Sequence, residues 1–193
     1  MFPLKSLIDQ LNGDETLING VLSSFLCEKD PDLTTFLHEK AVFFEGIHKA
    51  RTYLVVDEDS FAEPKLRILG YFSLALQALN LSEEVSIRKR GILDGISGKR
   101  KGEKIISFPC FLIGQLARSS CASKDDIPGA YFLNQALQYI VLAQDVVSGR
   151  IVLVECKPDD RLIQFYTDHD FEEFSRISDR DGKQMVQLIR MLN

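Results

Sequence analysis

Two nearly continuous apolar runs, separated by a long amphipathic stretch, dominate the pattern of hydrophobic and polar positions. The runs extend from Phe108 to Ala117 and from Ile151 to Cys156, and such runs are typical of strands that are buried on both faces. The stretch between them begins at Pro128-Gly129 and ends near Val147. A helix of this length suits a right-handed crossover between parallel strands, so the pattern predicts a βαβ unit. Its apolar stripe consists of Leu133, Ala136, Leu137, Ile140, Val141 and Val147.

Shorter patterns predict the elements of the N-terminal half. A helix over Phe2 to Leu11 should end at Asn12-Gly13, and Val21 to Cys27 predicts a first strand. Pro31 marks the start of a second helix, because proline is favoured at the first helical position. The apolar face of this second helix consists of Leu33, Phe36, Leu37, Ala41 and Phe44.

Two β-rich segments follow, and we expect them to pair as an antiparallel hairpin. They extend from Arg51 to Val56 and from Leu66 to Leu76, with the turn-like Asp57-Glu58-Asp59 after the first. Gly70 lies inside the second segment, where a glycine predicts a bulge or a close approach of another backbone.

The C-terminal part predicts a short helix and two more strands. The helix ends in Phe165-Tyr166, and the strands are Glu172 to Ile177 and Met185 to Leu192, joined by the polar turn Ser178 to Lys183. The whole pattern predicts one mixed α/β domain over residues 1–193, with residues 1–14 as a helical extension. We expect a largely antiparallel sheet with one central parallel pair and helices on both faces.

Composition is that of an ordinary water-soluble chain and adds little chemistry. Of the 193 residues, 45% are hydrophobic and 26% are charged, and no apolar run reaches the roughly 20 residues of a membrane span. Without a secretory segment, the widely spaced cysteines are expected to be buried reduced thiols in a cytoplasmic protein that holds no metal. They are Cys27, Cys110, Cys121 and Cys156.

Charge is distributed unevenly along the chain. The segment from Ile87 to Lys104 carries seven basic and two acidic residues, so it is +5 within a chain of net charge −5, and the remainder is −10. Its four glycines predict a basic loop insertion. The loop is either a solvated surface or a patch for a phosphate-bearing partner, such as an acyl carrier or an RNA. The basic residues are Arg88, Lys89, Arg90, Lys99, Arg100, Lys101 and Lys104.

Three short motifs resemble those of the GNAT N-acetyltransferases. Lys124 to Ala130 resembles the loop Arg/Gln-x-x-Gly-x-Gly/Ala, with Ile127 in place of the middle glycine. Phe165-Tyr166 followed by Asp170-Phe171 resembles Phe-Tyr-x-x-x-Gly-Phe, with Asp170 in place of the glycine. Ile113 to Arg118 is similar to the strand that pairs with the pantetheine arm of the acyl carrier.

The N-terminal half is similar to the toxin-type branch, which acetylates the amino group of aminoacyl-tRNA. The similar segments are Asp32 to Ala41, Ala50 to Val55 and Ile68 to Leu74, so the resemblance covers roughly residues 20–192. It implies a GNAT-like fold in which the parallel pair splays to admit the pantetheine arm.

The resemblance also implies a binding site for acetyl-CoA as acyl donor. Backbone groups near Leu116 and Ala117 would pair with the pantetheine arm. The pyrophosphate would lie at the loop and helix start, where unpaired N–H groups favour anions. The residues expected at the pyrophosphate are Lys124, Ile127, Gly129 and Ala130.

Tyr166 is the catalytic residue that the resemblance implies, as the general acid that protonates the leaving thiolate. From the pattern alone, the favoured interpretation is a tyrosine that packs its ring on the core with its hydroxyl at the surface. Glu155, at the end of an apolar strand, is a candidate general base, and a salt-bridged glutamate is the alternative.

The acceptor is left open by the sequence. We expect a primary amine on a small molecule or protein. The alternatives are aminoacyl-tRNA, with an antitoxin as partner, or a degenerate module that binds acyl-CoA without catalysis. A homodimer is compatible with the resemblance, and no membrane partner is expected.

Overall fold

The computed structural model describes residues 1–57, 66–125, 127–178 and 181–192. Most of its strands belong to one mixed sheet. Over these residues the sheet has seven strands in the order β1-β2-β3-β6-β7-β9-β8, and β4 and β5 form a separate hairpin. The strands are β1 Phe2–Pro3, β2 Arg51–Val56, β3 Ile68–Asn80, β4 Lys99–Arg100, β5 Glu103–Lys104, β6 Ser107–Arg118, β7 Ile151–Cys156, β8 Glu172–Ser178 and β9 Gln184–Met191.

Seven α-helices and one π-helical turn lie along the described residues. The α-helices are α1 Leu4–Gln10, α2 Glu15–Leu22, α3 Pro31–Thr35, α4 Ala41–Gly46, α5 Ile87–Asp94, α6 Gly129–Val147 and α7 Asp160–Thr167, and the π-helical turn is Phe36–Lys40.

Internal contacts group the chain into two compact units. The first unit comprises Met1–Ala75 and Gly114–Ile140, and the second comprises Leu76–Ile113 and Val141–Asn193. The strands β3 and β6 and the helix α6 each contribute residues to both units.

The first unit contains the predicted hairpin. Strands β2 and β3 pair antiparallel, and the register shifts between Val55, opposite Gly70, and Val56, opposite Ile68. A Cβ at Gly70 would lie 2.3 Å from Cε1 of Phe132 and 2.5 Å from the carbonyl oxygen of Ala117. The expectation of a bulge or a close approach is therefore confirmed on both counts. The turn predicted at residues 57–59 lies outside the described residues beyond Asp57.

The N-terminal residues belong to the core of the first unit. Phe2 and Pro3 pair with β2, and Leu4 and Leu7 of α1 are buried. Asn12 and Gly13 end this helical segment with positive φ angles of 52° and 74°. The predicted helix is confirmed, while its first residues form a short strand.

The strand predicted from Val21 to Cys27 is wrong. Asp14 begins a helix there instead, because its carboxylate accepts the N–H groups of Thr16 at 2.9 Å and Leu17 at 3.1 Å. Ile18 and Leu22, four residues apart, bury one face of α2. Phe25 and Cys27 are buried without joining a strand, and Leu26 between them is 49% exposed.

The second predicted helix begins where Pro31 places it. Asp30 caps it by accepting the N–H of Asp32 at 3.3 Å. The helical segment continues through the π-helical turn and α4 to Gly46. Its predicted apolar face is confirmed, since Leu33, Phe36, Leu37, Ala41 and Phe44 all belong to or pack against one core cluster.

The second unit contains the predicted parallel pair. Phe111, Leu112 and Ile113 of β6 lie opposite Val152, Leu153 and Val154 of β7. Strand β7 also pairs antiparallel with β9, and β9 pairs antiparallel with β8. The central prediction from the two apolar runs is confirmed, as are both tail strands. The turn expected between the tail strands includes residues 179 and 180, outside the described residues.

The apolar stripe predicted for α6 is right at its start and wrong at its end. Leu133, Ala136 and Ile140 are buried, but Val141 is 45% and Val147 is 63% exposed. Helical periodicity identifies the face that turns inward. It does not reveal how far a helix extends beyond its packing partner.

The basic segment is not a loop. It folds into α5 and the hairpin of β4 and β5. Two of its four glycines end or turn an element: Gly95 caps α5 at φ 83°, and Gly102 forms the hairpin turn at φ 88°. Six of the seven basic side chains are exposed, and Arg90 is only 1% exposed.

The cysteines are all free. Cys27, Cys110 and Cys156 are buried as expected, but Cys121 is exposed, because it lies in the polar loop after β6. Among the described residues, no helix is long and apolar enough to cross a membrane.

Candidate active site

The helix α7 holds Tyr166 in the core of the second unit. Asp159 starts this helix by accepting the N–H groups of Arg161 at 2.8 Å and Leu162 at 3.2 Å. Tyr166 is 6% exposed, and its ring meets the rings of Phe165 and Phe171 edge to face at 5.1 and 5.6 Å between centroids. The ring is therefore fixed by packing.

The phenol of Tyr166 is a poor acid in this environment. Burial raises the pKa of Tyr166 well above its ordinary value, and the nearby Cys156 raises it further. Within the described part of the chain, its hydroxyl makes no hydrogen bond, so the proton is not committed to an internal acceptor. A neutral phenol that keeps its proton at physiological pH can serve as a proton donor.

The turn after Tyr166 explains how aspartate replaces glycine in the motif. The carbonyl of Tyr166 accepts the N–H groups of His169 at 3.0 Å and Phe171 at 3.1 Å. This turn places Asp170 at φ 65°, in the left-handed region. Aspartate adopts that region more readily than most side chains, so the turn keeps the backbone shape that glycine would allow.

Glu155 on β7 is held by amides and not by the salt bridge considered from the sequence. Its Oε1 accepts hydrogen bonds from Gln77 at 3.2 Å and from Gln187 at 2.8 Å. The Oε1 of Gln187 in turn accepts the hydroxyl of Ser175 at 2.5 Å. The two glutamines come from β3 and β9, and no local signal in the sequence connects them to Glu155.

Two buried cysteines in this unit are inert thiols. Burial raises the pKa of Cys156 to about 11 and that of Cys110 to about 12. The thiolate is the nucleophilic form of cysteine, so neither group is prepared to attack a thioester at neutral pH.

The end of β6 lies in the first unit. Leu116 is half-buried and Ala117 is buried, and the N–H of Ser119 donates to the carbonyl of Leu69 at 2.8 Å. The guanidinium of Arg118 donates to the carbonyl of Ile127 at 3.3 Å. Arg118 thus ties the strand end to the loop, a role that only the fold reveals.

The residues predicted to hold a pyrophosphate differ in whether they have a charge or a free N–H group available to bind it. Lys124 is exposed. The N–H of Ile127 donates to the carbonyl of Ser123 at 3.2 Å, so it is already used. Gly129 and Ala130 open α6, and no described residue accepts their N–H groups, as expected in the first turn of a helix. Asp126 lies outside the described residues.

The predicted site residues therefore fall into two sets. Tyr166 and Glu155 belong to the second unit, together with Cys156. The residues from Leu116 to Ala130 belong to the first unit. Among the described residues, no group of three or more histidine, cysteine, aspartate or glutamate side chains could hold a metal ion.

Comparison with solved structures identifies the fold. No protein-family model and no curated protein matches the sequence. A bacterial toxin matches with a TM-score of 0.65 at 14% identity, over 89% of this chain and 83% of that one. A mutant of the toxin AtaT, bound to acetyl-CoA and the C-terminus of the antitoxin AtaR, matches with a TM-score of 0.59 at 17% identity, over 88% and 84%.

A third structure gives the broader class. A protein from Desulfovibrio desulfuricans, assigned to the GNAT acetyltransferases, matches with a TM-score of 0.51 at 11% identity over 92% of each chain. The chain has the fold of the GNAT acetyltransferases. Within that class, toxins are among the structures that it resembles, which agrees with the resemblance of its N-terminal half.

Proposed function

We propose that this protein is an acetyl-CoA-dependent N-acetyltransferase that moves an acetyl group from the thioester to a primary amine. The observation that carries the proposal is a buried, neutral Tyr166 on the helix after the parallel pair of a GNAT fold. The resemblance assigns this tyrosine the role of general acid. The neighbouring structure that contains acetyl-CoA supports the choice of acyl donor.

In the proposed reaction the amine nitrogen attacks the thioester carbonyl carbon and the carbon–sulfur bond breaks. Tyr166 donates its proton to the leaving thiolate, and the amine loses a proton to a base. Glu155 is the candidate for that base, with two glutamine N–H groups fixing one of its oxygens. The neutral thiols of Cys110 and Cys156 favour direct transfer over a covalent enzyme intermediate.

The cosubstrate would be held by backbone groups and one cation. Leu116 and Ala117 would pair with the pantetheine arm if β6 and β7 splay beyond Ile113. The N–H groups of Gly129 and Ala130 and the ammonium of Lys124 would meet the pyrophosphate. With its N–H already bonded, Ile127 would contribute only through the shape of the loop.

Two measurements test this proposal in order. CoA should raise the melting temperature of the protein, and no shift would reject cofactor binding altogether. Release of free thiol from acetyl-CoA, with a broad panel of amines, should then identify an acceptor. Binding without turnover on any amine or charged tRNA would favour the degenerate binding module, which the occupied N–H of Ile127 also suggests.

Aminoacyl-tRNA is the second candidate acceptor. It is favoured by the exposed basic residues of α5 and the β4–β5 hairpin, and by the toxins among the similar structures. We rank an amine on a small molecule or protein first, because the remainder of the chain is −10 and should repel an RNA backbone. If tRNA is the acceptor, a cytoplasmic location and an antitoxin partner would follow.

Labelling of charged tRNA decides between these acceptors. The protein is incubated with acetyl-CoA and charged bulk tRNA, and acetylated aminoacyl ends are measured at several salt concentrations. Salt-sensitive labelling that disappears when Arg88, Lys89, Lys99 and Lys101 are neutralised would reverse our ranking. Arg90 stays intact in this variant, because it is buried.

A further inference from the structure

A cavity of about 480 Å³ opens on the second unit, at the amino ends of β6 and β7. Its lining is mainly apolar and includes two arginines, which is the usual composition of a binding cavity. Its lining includes Leu76, Asp94, Arg100, Phe108, Val147 and Arg150.

This cavity is separate from the candidate catalytic residues of the same unit. Tyr166 and Glu155 lie at or beyond the carboxyl end of β7, whereas the cavity is lined by Ile151, the first residue of that strand. Parallel strands present their substrate sites at their carboxyl ends. The proposed acyl transfer therefore leaves the cavity without a role.

Arg150 contributes an exposed cation to the lining of the cavity. Its guanidinium lies against Gly95, where a Cβ would be 2.7 Å from Cζ and 2.9 Å from Nη1. Gly95 also ends α5, so the cation lies at the negative end of that helix. Within the described residues, the side chain of Arg150 makes no ion pair or hydrogen bond. The other arginine of the cavity lining is Arg100, whose guanidinium lies 3.6 Å from the carboxylate of Asp94.

Large apolar side chains are exposed in the lining of the cavity and at positions close to lining residues in the sequence. Leu76 in its lining is 75% exposed, and Val146, next to Val147, is 83% exposed. Ile96 and Ile106, close in sequence to lining residues, are 92% and 65% exposed. Apolar surface that continues outside a cavity is typical of a site for another protein.

We propose that this surface docks a short acidic segment of a partner protein. An apolar side chain of the segment enters the cavity against Leu76, Phe108 and Val147, and a neighbouring carboxylate pairs with Arg150. The acidic character of the segment follows from charge complementarity, because Arg150 is a cation in the cavity lining that no described carboxylate pairs with. The proposal does not depend on the acyl transfer.

Two peptide pools test it on the ¹⁵N-labelled full-length protein. One pool contains N-acetylated, C-amidated pentapeptides of Leu, Phe, Asp and Glu, and the matched pool has Asn and Gln instead of the acids. Amide shifts of Leu76, Phe108 and Val147 should follow titration with the acidic pool. The neutral pool should bind about tenfold more weakly, the loss expected for one charge-assisted hydrogen bond.

Matched variants locate the contact. Arg150→Gln should weaken the acidic pool about tenfold, whereas Arg88→Gln removes the same charge outside the cavity and should leave binding unchanged. Val147→Ser tests the apolar part and should weaken both pools. Unperturbed spectra of the free variants show that each has folded.

Three results would overturn the proposal. The acidic pool could leave the three amides unmoved, or Arg150→Gln could bind as well as the original protein. The same amides could instead shift on dilution of the free protein, with a matching change in sedimentation. That last result would make the surface an interface between two copies of this chain.

Discussion

A phenol that is packed between aromatic rings keeps its proton far into alkaline solution, so at neutral pH it is in the protonated form that a general acid requires. At the scale of single residues, Tyr166 combines burial with a hydroxyl that no described residue engages. Glu155 shows the opposite arrangement, since two amides fix one of its oxygens. The environment of each residue, more than its identity, gives it a candidate role.

Tyr166→Phe removes the proton donor and leaves the ring packing in place. We expect turnover to fall by roughly one to four orders of magnitude with little change in CoA affinity, which is the usual range for loss of a general acid. The measurement is the rate of thiol release, once an acceptor is known, beside the binding constant for CoA.

Tyr139→Phe is the matched control, because it removes a phenolic hydroxyl from an aromatic cluster in the first unit. Its turnover should stay within about twofold of the original. Equal rates for Tyr166→Phe and the unmodified protein, with equal CoA affinity, would remove Tyr166 from the mechanism.

At this scale the sequence predicts where the candidate residues lie along the chain but not which side chains surround them. Phe165-Tyr166 was placed at the end of a short helix because the spacing is local. The partners of Glu155 and the burial of Arg90 could not be anticipated, because they come from segments distant in the chain. The sequence likewise gives no signal for the hydrogen bond that Arg118 donates to the carbonyl of Ile127.

At the scale of elements, the sequence predicts the bounds of a strand closely where an apolar run lies between polar turns. It fails where a neighbouring feature, such as a helix cap, decides the backbone conformation. The predicted bounds of Ile151 to Cys156 match the strand to the residue, because five of these six residues are apolar and polar turns lie on either side. Val21 to Cys27 was predicted as a strand and is partly helix, because the cap at Asp14 decides the backbone there. The glycines of the basic segment predict a loop, whereas Gly95 ends a helix, Gly102 turns a hairpin and Gly91 lies within α5.

Gly70→Ala should destabilise the packing of β3 against Phe132 of α6 and Ala117 of β6. The added methyl group would lie 2.3 Å from the Phe132 ring and 2.5 Å from the Ala117 carbonyl oxygen. We expect the free energy of unfolding to fall by about 1–3 kcal/mol in urea titrations, the range for overpacking.

Gly20→Ala provides the comparison inside α2, where a Cβ meets nothing within 4 Å. It should leave the protein as stable or raise the free energy of unfolding by up to about 1 kcal/mol, because alanine favours helix. Equal stability of the two variants would contradict the close approach at Gly70.

Arg90→Met should loosen α5 and the adjoining hairpin. The guanidinium of Arg90 donates to the carbonyls of Val85 at 2.9 Å, Ser82 at 2.5 Å and Ile105. Methionine leaves these acceptors without a donor, so we expect a loss of about 3 kcal/mol or more. Hydrogen exchange along α5 should accelerate together with the fall in global stability.

Arg88→Met tests whether the effect comes from charge alone. Arg88 is exposed on the same helix, so its replacement should change stability by less than about 0.5 kcal/mol. A similar loss in both variants would mean that the buried hydrogen bonds of Arg90 contribute nothing particular.

At the scale of the whole molecule, several buried acids resist ionisation at high pH. Burial raises the pKa of Tyr71 and Tyr166 above the ordinary value, that of Cys110 to about 12 and that of Cys156 to about 11. The stabilisation from these groups is complete below the pKa values of the unfolded chain. It is lost as pH rises, because the unfolded chain releases protons that the native state retains.

We therefore expect the free energy of unfolding to decrease as pH rises through about 9 to 12. Urea titrations at intervals of half a pH unit measure the slope. The double variant Cys110→Ala, Cys156→Ala should show a smaller slope, because two of the shifted groups are gone. A stability that is flat over this range would contradict the assigned burial.

The buried guanidinium of Arg90 has a consequence for how this protein should be mapped genetically. An alanine scan through residues 88–104 would report Arg90 as the most sensitive basic position in any assay, from growth phenotype to pull-down. The apparent footprint would include a side chain that no external molecule can reach, because unfolding of α5 mimics loss of contact. Reversal to glutamate at the six exposed positions, with Arg90 left intact, separates recognition from folding in such a screen.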